Sequence, residues 1–195
     1  MKRRTFLKTS SLLSLSFLAS PLIKRNFLEG NSYFKNKISL DVDKILDLHS
    51  SLEYKIISRV GTKMSDDLLV PGKPDGMASF NNKGKTVLVR NHELRKGHGI
   101  KSSAFLNGTR EIKALGSKHY DVSAFGGTTN LVYDEKNKRV ESEFLSLSGT
   151  EANCSGGSTP WGTWLTCEES VNKKSKKEKS HGYVFEVYPN DKMNR

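Results

Sequence analysis

The sequence predicts an all-β fold, a sandwich, barrel or propeller, on two observations. From Tyr54 onward, short runs of β-branched and aromatic residues recur between turns rich in glycine and asparagine. Leu131–Leu145 reads as a hairpin, with Asp134–Lys138 as its polar turn. No fixed-period repeat accompanies these strands.

In chain order, residues 1–25 read as an export signal. Arg3-Arg4-Thr5-Phe6-Leu7-Lys8 follows the twin-arginine pattern, and a Ser/Leu-rich stretch from Ser10 to Ala19 follows as its apolar region. That stretch is too short and too rich in serine to make a stable membrane span. It names the twin-arginine translocase as a partner and the periplasm or exterior as the destination. Residues 26–53 are poorly patterned; Val42, Ile45, Leu46 and Leu48 predict a short helix over Asp41–Leu52, with His49 at the surface or capping it. Strands are predicted at Tyr54–Val60, Lys85–Asn91, Asn130–Asp134, Arg139–Leu147, Trp161–Cys167 and Gly182–Tyr188. The lysine run from Lys173 to Lys179 reads as a solvated loop between the last two.

Composition narrows the partners. The formal charge is +11 over 195 residues, and 35% of the chain is hydrophobic. The signal segment and the lysine run together hold nearly all of the excess, so the remainder is close to neutral and gives no nucleic-acid surface.

Residues 149–169, Gly-Thr-Glu-Ala-Asn-Cys-Ser-Gly-Gly-Ser-Thr-Pro-Trp-Gly-Thr-Trp-Leu-Thr-Cys-Glu-Glu, concentrate the chemistry. Both cysteines and both tryptophans fall here. Cys154–Pro160 reads as a loop, because Gly156 and Gly157 permit positive φ and Pro160 constrains Thr159. In the strand that follows, Trp161, Thr163, Leu165 and Cys167 share one face, and Gly162, Trp164, Thr166 and Glu168 the other. Cys154 with Glu168 and Glu169 offers a thiolate and carboxylates to a metal ion; equally, Cys154 and Cys167 can pair as a disulfide in an oxidising compartment. Spacing leaves both readings open.

Other constellations are weaker alone. Arg90-Asn91-His92-Glu93 closes a strand with an anion-binding guanidinium and nitrogen and oxygen ligands. Pro74-Asp75-Gly76-Met77 reads as a turn. Gly126-Gly127-Thr128-Thr129-Asn130 precedes a strand rather than a helix, which excludes a phosphate-cradling loop of the P-loop kind. His181 opens a strand and says little by itself.

Taken in order, Pro-Asp-Gly-Met-Ala (74–78), Val-Arg-Asn-His-Glu (89–93), Gly-Gly-Thr-Thr-Asn-Leu-Val-Tyr-Asp (126–134), the 153–169 stretch and His-Gly-Tyr-Val-Phe-Glu-Val (181–187) resemble the N-terminal part of the PhoX-type alkaline phosphatases. The resemblance spans about residues 54–188. It implies a β-propeller with iron and calcium at its centre and hydrolysis of small phosphate monoesters. It implies that Cys154 is an iron ligand, that Glu168 and Glu169 are metal ligands, and that Glu93 is a further one, with Cys167 a buried strand residue. The cations would neutralise the phosphate dianion and activate water. On this reading residues 54–195 are an incomplete set of two to three blades whose partner is the missing C-terminal part of the same protein. Such a piece is expected to be inactive by itself. The rival expectations are a non-catalytic periplasmic metal-binding propeller module and a disulfide-bonded β-domain.

Overall fold

The computed structural model describes residues 38–105, 108–171 and 179–190. The signal segment and most of the lysine run, residues 173–178, lie outside them. The chain divides into two units, Met1–Lys55 and Ile56–Arg195. In the first, β1 (Ile38–Ser39) and β2 (Leu48–His49) form a minimal antiparallel pair. Asp41–Leu52 is not a helix. The Asp41 carboxylate instead accepts the backbone N–H groups of Asp43, Ile45 and Leu46 at 2.8–3.1 Å and the Tyr54 hydroxyl at 2.6 Å. Side-chain bonds of this kind give the backbone an alternative to helical pairing. The Tyr54 hydroxyl and these amides hold the Asp41 carboxyl down to about 2. Leu40 and Val42 remain exposed, so a helical apolar stripe would have had nothing to pack on.

The second unit is all-β with short helices. β3 (Pro74–Asn82), β4 (Lys85–His92), β5 (Gly126–Asp134) and β6 (Arg139–Thr150) form a four-stranded antiparallel sheet in sequence order. β7 (Asn153–Ser158), β8 (Trp164–Glu168) and β9 (Val184–Val187) form a three-stranded antiparallel sheet. Among the described residues, these sheets form no closed barrel. The crossing from β4 to β5 carries two 3-10 turns, the helix α1 (Thr109–Leu115) and a third 3-10 turn.

Local chemistry sets the turns. β3 and β4 are joined by Lys83 and Gly84, both at positive φ (51° and 81°), the conformation of the tight hairpin turn that matches strand twist. The predicted β5–β6 hairpin is closed by Asp134, whose carboxylate accepts the Asn137 backbone and side-chain N–H groups at 3.0 and 2.7 Å. Two predicted loops are strands instead. Pro74–Met77 begins β3, and Cys154–Ser158 lies in β7. Gly156 is needed there for proximity rather than for a turn: a Cβ would collide with the Leu165 carbonyl and the Trp164 indole. Gly126–Asn130 lies inside β5, and Tyr54–Val60 is without strand pairing.

Two apolar clusters form. Met64, Leu68, Val70, Ala104, Phe105, Ile112, Leu115 and Leu145 pack under the β4–β5 crossing. Val87 and Val89 of β4 meet Trp164 of β8 and Val187 of β9, so this second cluster joins the two sheets. Asn91, fully buried, ties the same seam: its amide donates to the Ser155 carbonyl at 3.1 Å and accepts the Trp164 indole N–H at 2.9 Å.

Candidate functional site

Strand alternation separates the two adjacent glutamates at the end of β8. Trp164, Thr166 and Glu168 share one face, as predicted, and that face points inward, while Leu165 and Cys167 are half-buried on the outer face and Glu169 is exposed. Glu168 has no exposed side-chain surface. Its Oε1 accepts the Glu151 N–H at 2.8 Å and contacts His181 Nδ1 at 2.7 Å; its Oε2 accepts the Gly182 and Tyr183 N–H groups at 2.8 and 3.1 Å. On the other side of the ring, His181 Nε2 lies 3.0 Å from Asp121 Oδ2. Ionised carboxylates only accept, so both contacts are hydrogen bonds when the imidazole carries both protons. Burial by itself would raise the Asp121 carboxyl, but the Ser123 N–H and hydroxyl, each at 2.8 Å, with His181 and the Lys96 charge, bring it down to about 2. The Tyr120 ring meets the His181 edge at 5.7 Å and carries the Lys179 ammonium 4.5 Å from its centroid.

Glu169 points to a different group. Its backbone N–H donates to the Ala152 carbonyl at 2.9 Å, and Ala152 N–H donates to Leu94 at 2.9 Å. Leu94 is fully buried, and Glu93 N–H is tied to Lys73 at 2.8 Å. The segments after β4 and β8 are thus fixed side by side. Their carboxylates converge on Arg95: one guanidinium nitrogen lies 2.9 Å from Glu93 Oε1 and 2.5 Å from Glu169 Oε2.

Cys154 is half-buried in β7, at the bulge between Asn153 and Ser155. Gly76, in the Pro-Asp-Gly-Met motif, abuts its backbone, and a Cβ there would fall 2.6 Å from the Cys154 carbonyl oxygen. Both cysteines are free thiols, which removes the disulfide alternative from the structure. Cys167 pairs in register with Ser155 and is half-buried rather than buried. Two neighbours with expected chemistry are engaged internally. Arg90 donates to Glu143 at 2.9 Å and Ser58 at 3.0 Å instead of presenting itself to an anion. His92 donates from Nδ1 to the Gly72 carbonyl and accepts the Thr129 hydroxyl, each at 2.9 Å; burial and then the Arg90 charge push it down to about 3, so it stays neutral.

The four predicted ligands therefore fall into three places: Glu93 with Glu169, Glu168 inside, and Cys154 on β7. Among the described residues, no group of three or more His, Cys, Asp or Glu side chains is arranged to hold a metal ion. A family model described as "Alkaline phosphatase PhoX" matches residues 34–195. The chain belongs to the PhoX alkaline phosphatase family. No curated protein and no solved structure matches it. Among the described residues of this PhoX-family chain, no helix is long and apolar enough to cross a membrane.

Sequence reasoning did not single out Asp121 or Arg95, and set His181 aside as uninformative by itself. His181 and Asp121 are 60 residues apart, and each is an ordinary polar residue in its own segment. The one local signal at His181 was Gly182, whose φ of 101° lets two successive amides turn onto Glu168. Arg95 follows directly on the Val-Arg-Asn-His-Glu motif, but its partner Glu169 lies 74 residues further along the chain.

Proposed function

We propose that this PhoX-family chain acts in the exported, metal-dependent hydrolysis of phosphate monoesters, and that its described sheets are blades of a propeller. The family match over residues 34–195 carries the reading. The four-stranded sheet in up-and-down order supports the propeller, because that connectivity is the one a blade uses. The twin-arginine pattern at Arg3-Arg4 supports export in the folded state.

The donor chemistry fits the implied metals in part. Glu93 and Glu169 are hard oxygen donors of the kind calcium takes, and both are paired with Arg95. Cys154 is a free, half-buried thiol and suits iron. Glu168 has a different role in this proposal. Both of its oxygens already accept two bonds, so it anchors the β8 terminus and sets where Glu169 emerges. When bound, the cations would neutralise the phosphate dianion and stabilise charge on the leaving oxygen. The chain's own contribution is placement: the Leu94–Ala152 and Ala152–Glu169 backbone bonds fix Glu169 beside Glu93, and Gly76 seats β3 against Cys154.

The test is metal content and turnover of the exported protein. Iron measured by mass spectrometry should fall to background on Cys154→Ala, with p-nitrophenyl phosphate as the activity substrate. Retained calcium without turnover would favour a non-catalytic module. Full activity in a metal-free preparation would overturn the proposal.

A further inference from the structure

The face of the four-stranded sheet turned away from the β7–β9 sheet carries a cavity. Val87 and Val89 of β4 enter the cluster that joins the two sheets. Leu88 and Arg90 alternate with them and point the other way. Strand register extends that second face: Leu88 stands opposite Leu131, and Arg90 opposite both Met77 and Thr129. Residues 56–58, in the stretch without strand pairing, lie over it. They are tied down by the Ser58 hydroxyl, which donates to Glu143 at 2.7 Å and accepts from Arg90 at 3.0 Å. Between this segment and the sheet is a space of about 160 Å³. Ile56, Ile57, Met77, Leu88 and Leu131 give it apolar walls, and Arg90 is the one charged residue among those that line it. Ile56 and Met77 are exposed and form its rim, so a small molecule can enter without opening the sheet.

Size, charge and hydrogen bonding each limit the guest. An apolar cavity of about 150 Å³ takes one benzene-sized ring, so this one has room for a single ring. The Arg90 charge is already met by Glu143 at 2.9 Å. An entering ion would therefore give up its hydration for apolar walls and a neutralised pair. The hydrogen bonds of Arg90 to Ser58, Thr129 and Glu143 all leave from Nη2, and its Nε is buried without a partner among the described residues. A guanidinium carries five N–H donors and no acceptor, so the polar wall has donors to spare. We propose that this cavity binds a neutral, single-ring molecule bearing one acceptor oxygen, of the cyclic ketone class, with its ring on Leu88 and Leu131 and its oxygen toward the Arg90 guanidinium. None of these residues is a candidate metal ligand, so the site stands or falls independently of the metal reading.

The experiment follows amide chemical shifts of the isotope-labelled full chain during titration with cyclohexanone, cyclohexanecarboxylate and cyclohexylammonium. The three probes share one ring and differ in carrying a neutral acceptor, an anion or a cationic donor. Cyclohexanone should shift the amides of β4, β5 and residues 56–58, and should bind at least about tenfold more tightly than either ion. Leu88→Phe fills the space from the sheet side and should weaken ketone binding by about tenfold or more. Ile57→Phe fills it from the opposite wall with the same expected loss, and keeps the test decisive if Leu88→Phe does not fold. No ketone binding by the wild type overturns the site. Equal or tighter binding of either ion overturns the neutral-acceptor assignment. Ketone binding that persists unchanged in the folded cavity-filling variants overturns its location.

Discussion

Replacing Glu168 with glutamine changes one oxygen of a fully enclosed carboxylate into an amide nitrogen. Oε1 faces the Glu151 N–H and His181, and Oε2 faces the Gly182 and Tyr183 N–H groups, all within 3.1 Å. Whichever way the amide is turned, its NH2 meets donors. With its NH2 in place of Oε2 the Gly182 and Tyr183 amides lose their acceptor; in place of Oε1 the Glu151 N–H does. Orphaned buried amides, together with the lost charge-assisted hydrogen bonds of the carboxylate, give an expected loss of about 3–5 kcal/mol. With a urea dependence of about 2 kcal/mol per molar for a chain of this size, the unfolding midpoint should drop by roughly 2 M. The assay is urea unfolding followed by the fluorescence of the buried Trp164, in calcium and again in chelator. A drop of the same size in both conditions is expected, because the network is made of protein groups alone. A shift below about 0.5 M would refute the anchoring role. A loss present with metal and absent in chelator would return Glu168 to the ligand set.

Other consequences follow from the same geometry. Asn91→Ala removes the acceptor of the Trp164 indole and the donor to Ser155, and should cost about 2–4 kcal/mol in the same unfolding assay; a near-neutral effect would show that the seam does not depend on it. Asp121 has a folded pKa of about 2, below the ordinary carboxylate value, so the stability it contributes is complete above about pH 4 and is lost as pH falls through 2. Unfolding midpoints measured from pH 7 to 2 should show that acid limb, and Asp121→Asn should flatten it; an unaltered limb would contradict the assignment. Gly156→Ala forces a methyl against the Leu165 carbonyl and the Trp164 ring, and should lower thermal stability by several degrees; a wild-type melting temperature would mean the two strands are not so closely apposed. Thiol titration of the denatured, unreduced protein should give two free thiols, and a value of zero would restore the Cys154–Cys167 disulfide.

Parts of the fold and site were legible because they are local. Alternation along Trp164–Glu168 placed Trp164, Thr166 and Glu168 on one face, and the Asp134–Lys138 turn was visible in its residues. The Asp41–Leu52 helix failed because one carboxylate captured three amides, a competition that apolar periodicity does not register. The Cys154–Ser158 strand was missed because its glycines signal a turn in isolation. They serve close packing once Trp164 lies across them.

By itself, the sequence determined the all-β class, the motif order that marks a PhoX-family chain, and the candidate ligands Cys154, Glu93, Glu168 and Glu169. Tertiary structure alone decided their different circumstances. Adjacent residues on a strand face opposite ways, so Glu168 entered a buried network with His181 and Asp121 while Glu169 met Arg95 and Glu93 at the surface. Those partners come from segments that only the packing of one sheet on another brings together, and spacing along the chain does not encode that packing.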